Sequence, residues 1–207
     1  MITKMTRWRL LALLSFSLAV AIPASIIATY IPSFGDKPAD GPPVAESMMS
    51  PGYSTPFLAA GINNPPIVPA SQAGLPDDEL IIGVEMNGRA RAYRVSALRG
   101  PMSHVVNDVI DHSPVTVTYC DIRDCARGFT GKKRDTPLDV SLAGLHDGDL
   151  LLKTGDTMFS QSTGEGLRND GTTFAPLESH PIVRTTWKAW RDSHPSTDVY
   201  LGPQTRP

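Results

Sequence analysis

The chain has 207 residues, with 19 Lys and Arg against 21 Asp and Glu, a formal net charge of −2, 41% hydrophobic and 19% charged residues. That length accommodates one ordinary domain with accessories and excludes two sizeable cores. The near-neutral balance with scattered cations excludes electrostatic capture of nucleic acid. Its two cysteines exclude a disulfide-dense miniprotein and a four-cysteine zinc module.

Lys4, Arg7 and Arg9 precede an uncharged run over residues 10–31, and the next charge is Asp36. As a helix rising about 1.5 Å per residue, the run spans a bilayer's hydrocarbon core. The cationic start predicts a cytoplasmic N-terminus with the remainder outside. Residues 1–32 are therefore read as a signal anchor or a signal peptide. Ala19-Val20-Ala21 fits the small-x-small cleavage pattern, and Pro23 would end the apolar helix nearby. The run continues through Ile26, Ile27, Tyr30 and Ile31, longer than a cleaved segment needs, which favours the anchor. The expected location is the cell membrane, single-pass with the domain outside the cytoplasm, or secreted or periplasmic if the signal is cleaved. No cysteine follows the run closely, so no lipoprotein anchor is expected.

Ten prolines fall between residues 32 and 76. Proline lacks a backbone donor and biases its predecessor to extended geometry, so neither a long helix nor a central strand fits there. Residues 33–56 read as a semi-rigid spacer. From Phe57 apolar residues return, including Ile62, Ile67 and Val68, which predicts an extended arm packed on the domain.

The domain is expected over residues 57–207. Asn87-Gly88 separates two apolar-rich runs, residues 80–86 and 89–95, and supplies the two positive-φ positions of a type I′ hairpin turn. Residues 115–119 alternate β-branched side chains after Pro114 and read as a core strand. Residues 138–142 and 149–153 read as two more strands joined around a glycine-flanked turn, 144–148, with 156–159 extending the meander. Trp187 and Trp190 stand at i, i+3 in a segment stopped by Pro195, which predicts a short amphipathic helix with both indoles in the core. Residues 198–201 predict a closing strand. The fold class is α+β and predominantly β: antiparallel hairpins and a meander with a short C-terminal helix.

These motifs, taken in order, carry a resemblance. Ile62-Asn63-Asn64-Pro65, Ile82-Gly83-Val84, Asn87-Gly88 and Arg91-Ala92-Tyr93 are followed by His104, Val106-Asn107-Asp108 and Val117-Thr118-Tyr119-Cys120. Then come Ser160-Gln161, Gly164-Glu165 and Trp187, Trp190, His194-Pro195. The chain resembles the domain of unknown function 3179 family over nearly everything beyond the spacer. The resemblance implies no particular activity. The family usually separates its two cysteines by two residues, whereas Cys120 and Cys125 have four between them; Val105 replaces a glutamate, and Phe159 a tryptophan.

Cys120 and Cys125 end a predicted strand and occupy the loop beyond it. In an oxidising compartment two close thiols form a structural disulfide, act as a redox pair, or bind a soft or borderline ion. His104, with Asn107 and Asp108, leads into the strand that ends at Cys120. If the segments are neighbours, imidazole and thiol converge as a Cys–His pair or a mixed sulfur–nitrogen site for copper or zinc. Cys120, Cys125 and His104 are thus the candidate catalytic or metal residues, with no resident cofactor otherwise indicated. Asn107, Asp108, Tyr119, Gln161 and Arg91 are candidate pocket residues, although for Arg91 with Tyr93 a fold anchor is the favoured reading. The loop Ser160 to Gly166 lacks the spacing of a phosphate loop, and no Gly-x-Ser-x-Gly elbow occurs. Two functions remain: a metal-binding or thiol-redox domain tethered to the membrane, and a non-enzymatic envelope binding module with a structural disulfide.

Overall fold

The proline-bearing arm contributes three short strands, β1 (Ser54–Ala59), β2 (Ile62–Asn63) and β3 (Ile67–Pro69), and each is the edge strand of a different sheet. An edge is where a residue without an N–H is tolerated, and Pro56 and Pro69 lie within these strands. The computed structural model describes residues 54–100, 102–167 and 172–203. The apolar run 10–31 and the spacer up to residue 53 lie outside them. Among the described residues no helix is long and apolar enough to cross a membrane.

The hairpin of β4 (Leu80–Met86) and β5 (Arg89–Arg94) turns at Asn87 and Gly88, with φ of 51° and 79°, as expected for a type I′ turn. Strands β6 (Val105–Ile110), β7 (Ser113–Cys120) and β8 (Cys125–Thr130) form an antiparallel meander. Every residue of β7 from Pro114 to Cys120 is buried. That reading belongs to a strand covered on both faces, and full burial of Val115 or Val117 is worth about 1.5–3 kcal/mol each.

A second meander follows: β9 (Ser141–His146), β10 (Asp149–Thr154), β11 (Thr157–Ser160), β12 (Gly166–Leu167) and β13 (Thr173–Phe174). The strand expected over residues 138–142 lies further along, because the turn is the two-residue Asp147-Gly148, with φ of 51° and 74°. Gly144 therefore lies inside a strand rather than in a loop. The chain closes with β14 (Glu178–His180), β15 (Val183–Thr186), α1 (Trp187–Ser193) and β16 (Asp198–Tyr200). The Thr186 side chain caps α1 by accepting from the Ala189 amide.

Three sheets result, in the orders β15-β4-β5-β16-β3, β14-β8-β7-β6-β2 and β1-β9-β10-β11-β12-β13. They are called here the helix-bearing, central and outer sheets. Pairing is antiparallel except for β16 with β5 and β2 with β6. Trp187 and Trp190 pack with Ile81, Ala92 and Val199 on the helix-bearing sheet. Its other face, with Ile82, Val84 and Tyr93, meets Val106, Val115 and Val117 of the central sheet. The far face of the central sheet, with Val105, Cys120 and Phe129, meets Leu142, Leu150, Leu152 and Phe159 of the outer sheet. The layers run helix, sheet, sheet, sheet.

Candidate functional site: two polar networks on opposite faces of one sheet

Successive residues of a strand point to opposite faces, so Asn107 and Asp108, adjacent in sequence, enter different cores. Asp108 faces the helix-bearing sheet. Its Oδ2 accepts from Arg91 Nη1 and from the Tyr93 hydroxyl, each at 2.7 Å, and its Oδ1 accepts from the Val109 amide at 2.7 Å. Arg91 and Tyr93 stand two apart on β5 and so share a face. Arg91 Nη2 lies 3.6 Å from Asp198 Oδ2, while Arg91 Nε is buried without a hydrogen-bond partner. Burial works against the Arg91 charge, but Asp108 outweighs it and the guanidinium is held above its ordinary pKa. Burial, then Asp108, pushes the Tyr93 phenol well above its own. Arg91, Tyr93 and Asp108 thus form a buried hydrogen-bonded triad in the core.

His104 lies on the same side. Its Nδ1 is 3.1 Å from the Leu98 carbonyl oxygen and its Nε2 is 3.7 Å from Asp121 Oδ1. Tyr119 also faces this side, and its hydroxyl donates to Asp124 at 2.6 Å. Burial, reinforced by that bond, pushes the phenol up to about 12.

The opposite face carries the thiols. Cys120 and Cys125 are register partners across the β7–β8 turn, neither in a disulfide. Cys120 has no exposed surface, whereas Cys125 is partly exposed. The neighbouring Cys125 thiol holds the Cys120 pKa down, assisted by the amides of Ile122 and Arg123 and opposed by burial and Asp121. The same contact raises Cys125; burial and the charges of Cys120 and Asp149 add to it, and Arg127 opposes. Gln161 joins the pair to the outer sheet: its Oε1 accepts from Cys125 Sγ at 3.4 Å and its Nε2 donates to Thr118 Oγ1 at 3.0 Å. Asn107 shares this face, accepting from Thr116 at 2.7 Å and donating to Asn63 at 2.8 Å and to the Val140 carbonyl at 2.9 Å.

The expected convergence of His104 with the thiols is therefore absent. Val105 packs with Cys120, and alternation turns His104, one residue earlier, to the other side. Among the described residues no group of three or more His, Cys, Asp or Glu has the geometry to hold a metal ion. The expected pocket set divides likewise: Arg91, Asp108 and Tyr119 on one face, Asn107 and Gln161 on the other.

Sequence reasoning missed Asp149. It is 8% exposed, and its Oδ2 accepts from Ser160 Oγ at 2.5 Å, from Ser162 Oγ at 2.8 Å and from the Ser162 amide at 2.9 Å. Its Oδ1 is buried with no partner. A lone Asp after an Asp-Gly turn reads as an exposed strand start, and only the β10–β11 pairing brings Ser160 and Ser162 to it. Thr118 was legible, since strand alternation puts it on the Cys120 face.

The model of a family described as proteins of unknown function, DUF3179, matches residues 61–206, and the chain belongs to that family. No curated protein and no solved structure matches significantly.

Proposed function

We propose, for a family without an assigned activity, that this domain is a thiol–disulfide exchange protein working through Cys120 and Cys125 outside the cytoplasm, tethered by its N-terminal apolar segment. The observation that carries the reading is the unequal pair: two reduced thiols in register across the β7–β8 turn, Cys125 partly exposed and Cys120 buried. The cationic start before the run 10–31 supports the tether and the compartment.

In this reading the oxidised pair is the reagent. An incoming thiolate attacks Cys125 Sγ, the sulfur within reach; the Cys120–Cys125 bond breaks, and Cys120 leaves as a thiolate received by the Ile122 and Arg123 amides. A second substrate thiolate then attacks the substrate sulfur of the mixed disulfide and releases Cys125, and Cys120 and Cys125 each take up one of the two protons lost by the substrate thiols. Two substrate thiols become a disulfide, and the protein disulfide becomes a dithiol. Excess disulfide drives the same exchange backward and restores the oxidised form.

Trapping with glutathione disulfide tests the assignment. Cys120→Ser retains the accessible sulfur and should gain one glutathione by mass. Cys125→Ser retains the buried sulfur and should remain unmodified while folded. The reverse pattern, or a wild-type pair that stays reduced against excess disulfide, would refute it. The burial of Cys120 among Phe129 and Leu152 favours a second reading, a structural disulfide in a non-enzymatic envelope binding module. Under that reading the bond forms but resists turnover.

A further inference from the structure

Four residues form one line of hydrogen bonds that ends at the partly exposed sulfur. Thr118 and Arg127 are register partners on β7 and β8, two residues from Cys120 and Cys125 respectively. The Thr118 hydroxyl donates to the Arg127 carbonyl oxygen at 3.2 Å. A hydroxyl has a single proton, so toward Gln161 it can only accept, and it does so from Nε2 at 3.0 Å. That turns the other end of the amide, the acceptor Oε1, to Cys125, whose thiol donates to it at 3.4 Å. The direction of every proton in the line is therefore set from a backbone carbonyl up to the sulfur.

The amide is also held in place. Gln161 has no exposed surface. Its backbone N–H donates to the Leu150 carbonyl oxygen at 2.9 Å, and the carbonyl oxygen of the next residue, Ser162, accepts from Arg127 Nε at 3.1 Å. Among the described residues Oε1 has no donor other than Cys125. A disulfide carries no S–H. Oxidation of the pair thus strips a buried carbonyl oxygen of its donor, whereas the dithiol keeps every bond in the line. A buried acceptor left without a donor is costly, and that cost falls on the oxidised form alone.

We infer that the line Cys125–Gln161–Thr118–Arg127 holds the dithiol in preference to the disulfide, so that the domain is a disulfide donor whose substrates are pairs of thiols that it oxidises. The inference rests on the exchange function proposed above and gives it a direction. Two electrons and two protons pass from the substrate thiols to the Cys120–Cys125 bond, the substrate leaves as a disulfide, and the proton taken up by Cys125 remakes the bond to Gln161. Stabilising the reduced form of a pair makes it the stronger oxidant.

The test compares the full chain with three variants, Thr118→Val, Gln161→Leu and Thr116→Val, each equilibrated in glutathione buffers of graded ratio. Thr118→Val frees the amide to turn, and Gln161→Leu removes it. Thr116 is as buried as Thr118 and lies on the same face of β7, but its hydroxyl serves Asn107 at 2.7 Å, so its loss weakens the core without touching the line. Thr118→Val and Gln161→Leu should each favour the disulfide about tenfold, a midpoint lower by about 30 mV. Thr116→Val should leave the midpoint in place. An unchanged midpoint in either of the first two, or a shift of the same size in Thr116→Val, would overturn the inference while leaving exchange intact. A wild-type pair that shows no transition across the buffers would overturn both.

Discussion

Gln161, with no exposed surface of its own, accepts the Cys125 thiol at 3.4 Å and donates to Thr118 at 3.0 Å, so one buried amide couples the dithiol of the central sheet to the outer sheet. Gln161→Leu keeps the volume and removes both bonds. Urea unfolding should show a loss of about 1–3 kcal/mol at unchanged m-value, the cost of leaving buried partners unsatisfied. Maleimide labelling of Cys125 should accelerate at the same time. Unchanged stability together with unchanged labelling would mean that the amide does not hold the pair.

The Arg91–Asp108 pair is almost wholly buried, with side chains 10% and 6% exposed. Asp108→Ala strands a buried guanidinium and should cost about 3–5 kcal/mol. The double variant Arg91→Met, Asp108→Leu should recover most of that loss, because a buried ion pair is close to neutral against an apolar replacement. Exchange activity should persist in any folded variant, since this network lies across the sheet from the thiols.

Gly83 lies beneath the indole of Trp190, and a Cβ there would collide with the ring. Gly83→Ala should lower stability by about 1–3 kcal/mol through overpacking. Trp190→Phe should relieve part of the clash in the double variant. Thermal melts of the four forms measure the coupling.

Asp124 and Tyr119 each contribute to one of the pH limits, Glu79 adding to the acid limb and Tyr93 and Tyr200 to the alkaline one. Burial raises Asp124, but its bonds from Arg184 and Tyr119 win and hold its folded pKa below the ordinary 3.8. Its contribution is present above the unfolded value and is lost as pH falls through the folded one, so the acid limb lies below about pH 4. Tyr119 runs the other way, from 10.0 to about 12. Its contribution is complete below pH 10 and disappears as pH rises toward 12. Melting temperatures across pH 2–12 should show both limbs. Tyr119→Phe should reduce the alkaline one, and Asp124→Asn the acid one, each in part, because Tyr93 and Glu79 still titrate.

Local chemistry made much of the fold readable. Asn87-Gly88 fixed one hairpin and the Val115 alternation fixed the central strand, because each signal resides in adjacent residues. The Trp187–Trp190 spacing gave the helix for the same reason. The meander strand was misplaced because Gly144 resembles a turn glycine, whereas Asp147-Gly148 is the pair that turns. The dithiol was legible as two nearby cysteines, but their partners were not. Gln161 and Asp149 reach the site through pairings between distant strands, and whether His104 faces the thiols depends on which residue of β6 begins the alternation.

The most direct test of the account is the redox equilibrium of the full chain against glutathione buffers of graded ratio, read as maleimide mass added to Cys120 and Cys125. The account predicts a reversible two-electron transition, with both thiols lost together, at a midpoint between about −120 and −270 mV, the range of catalytic dithiols. A pair that stays reduced throughout, or a disulfide that survives to below about −300 mV as structural ones do, would contradict it.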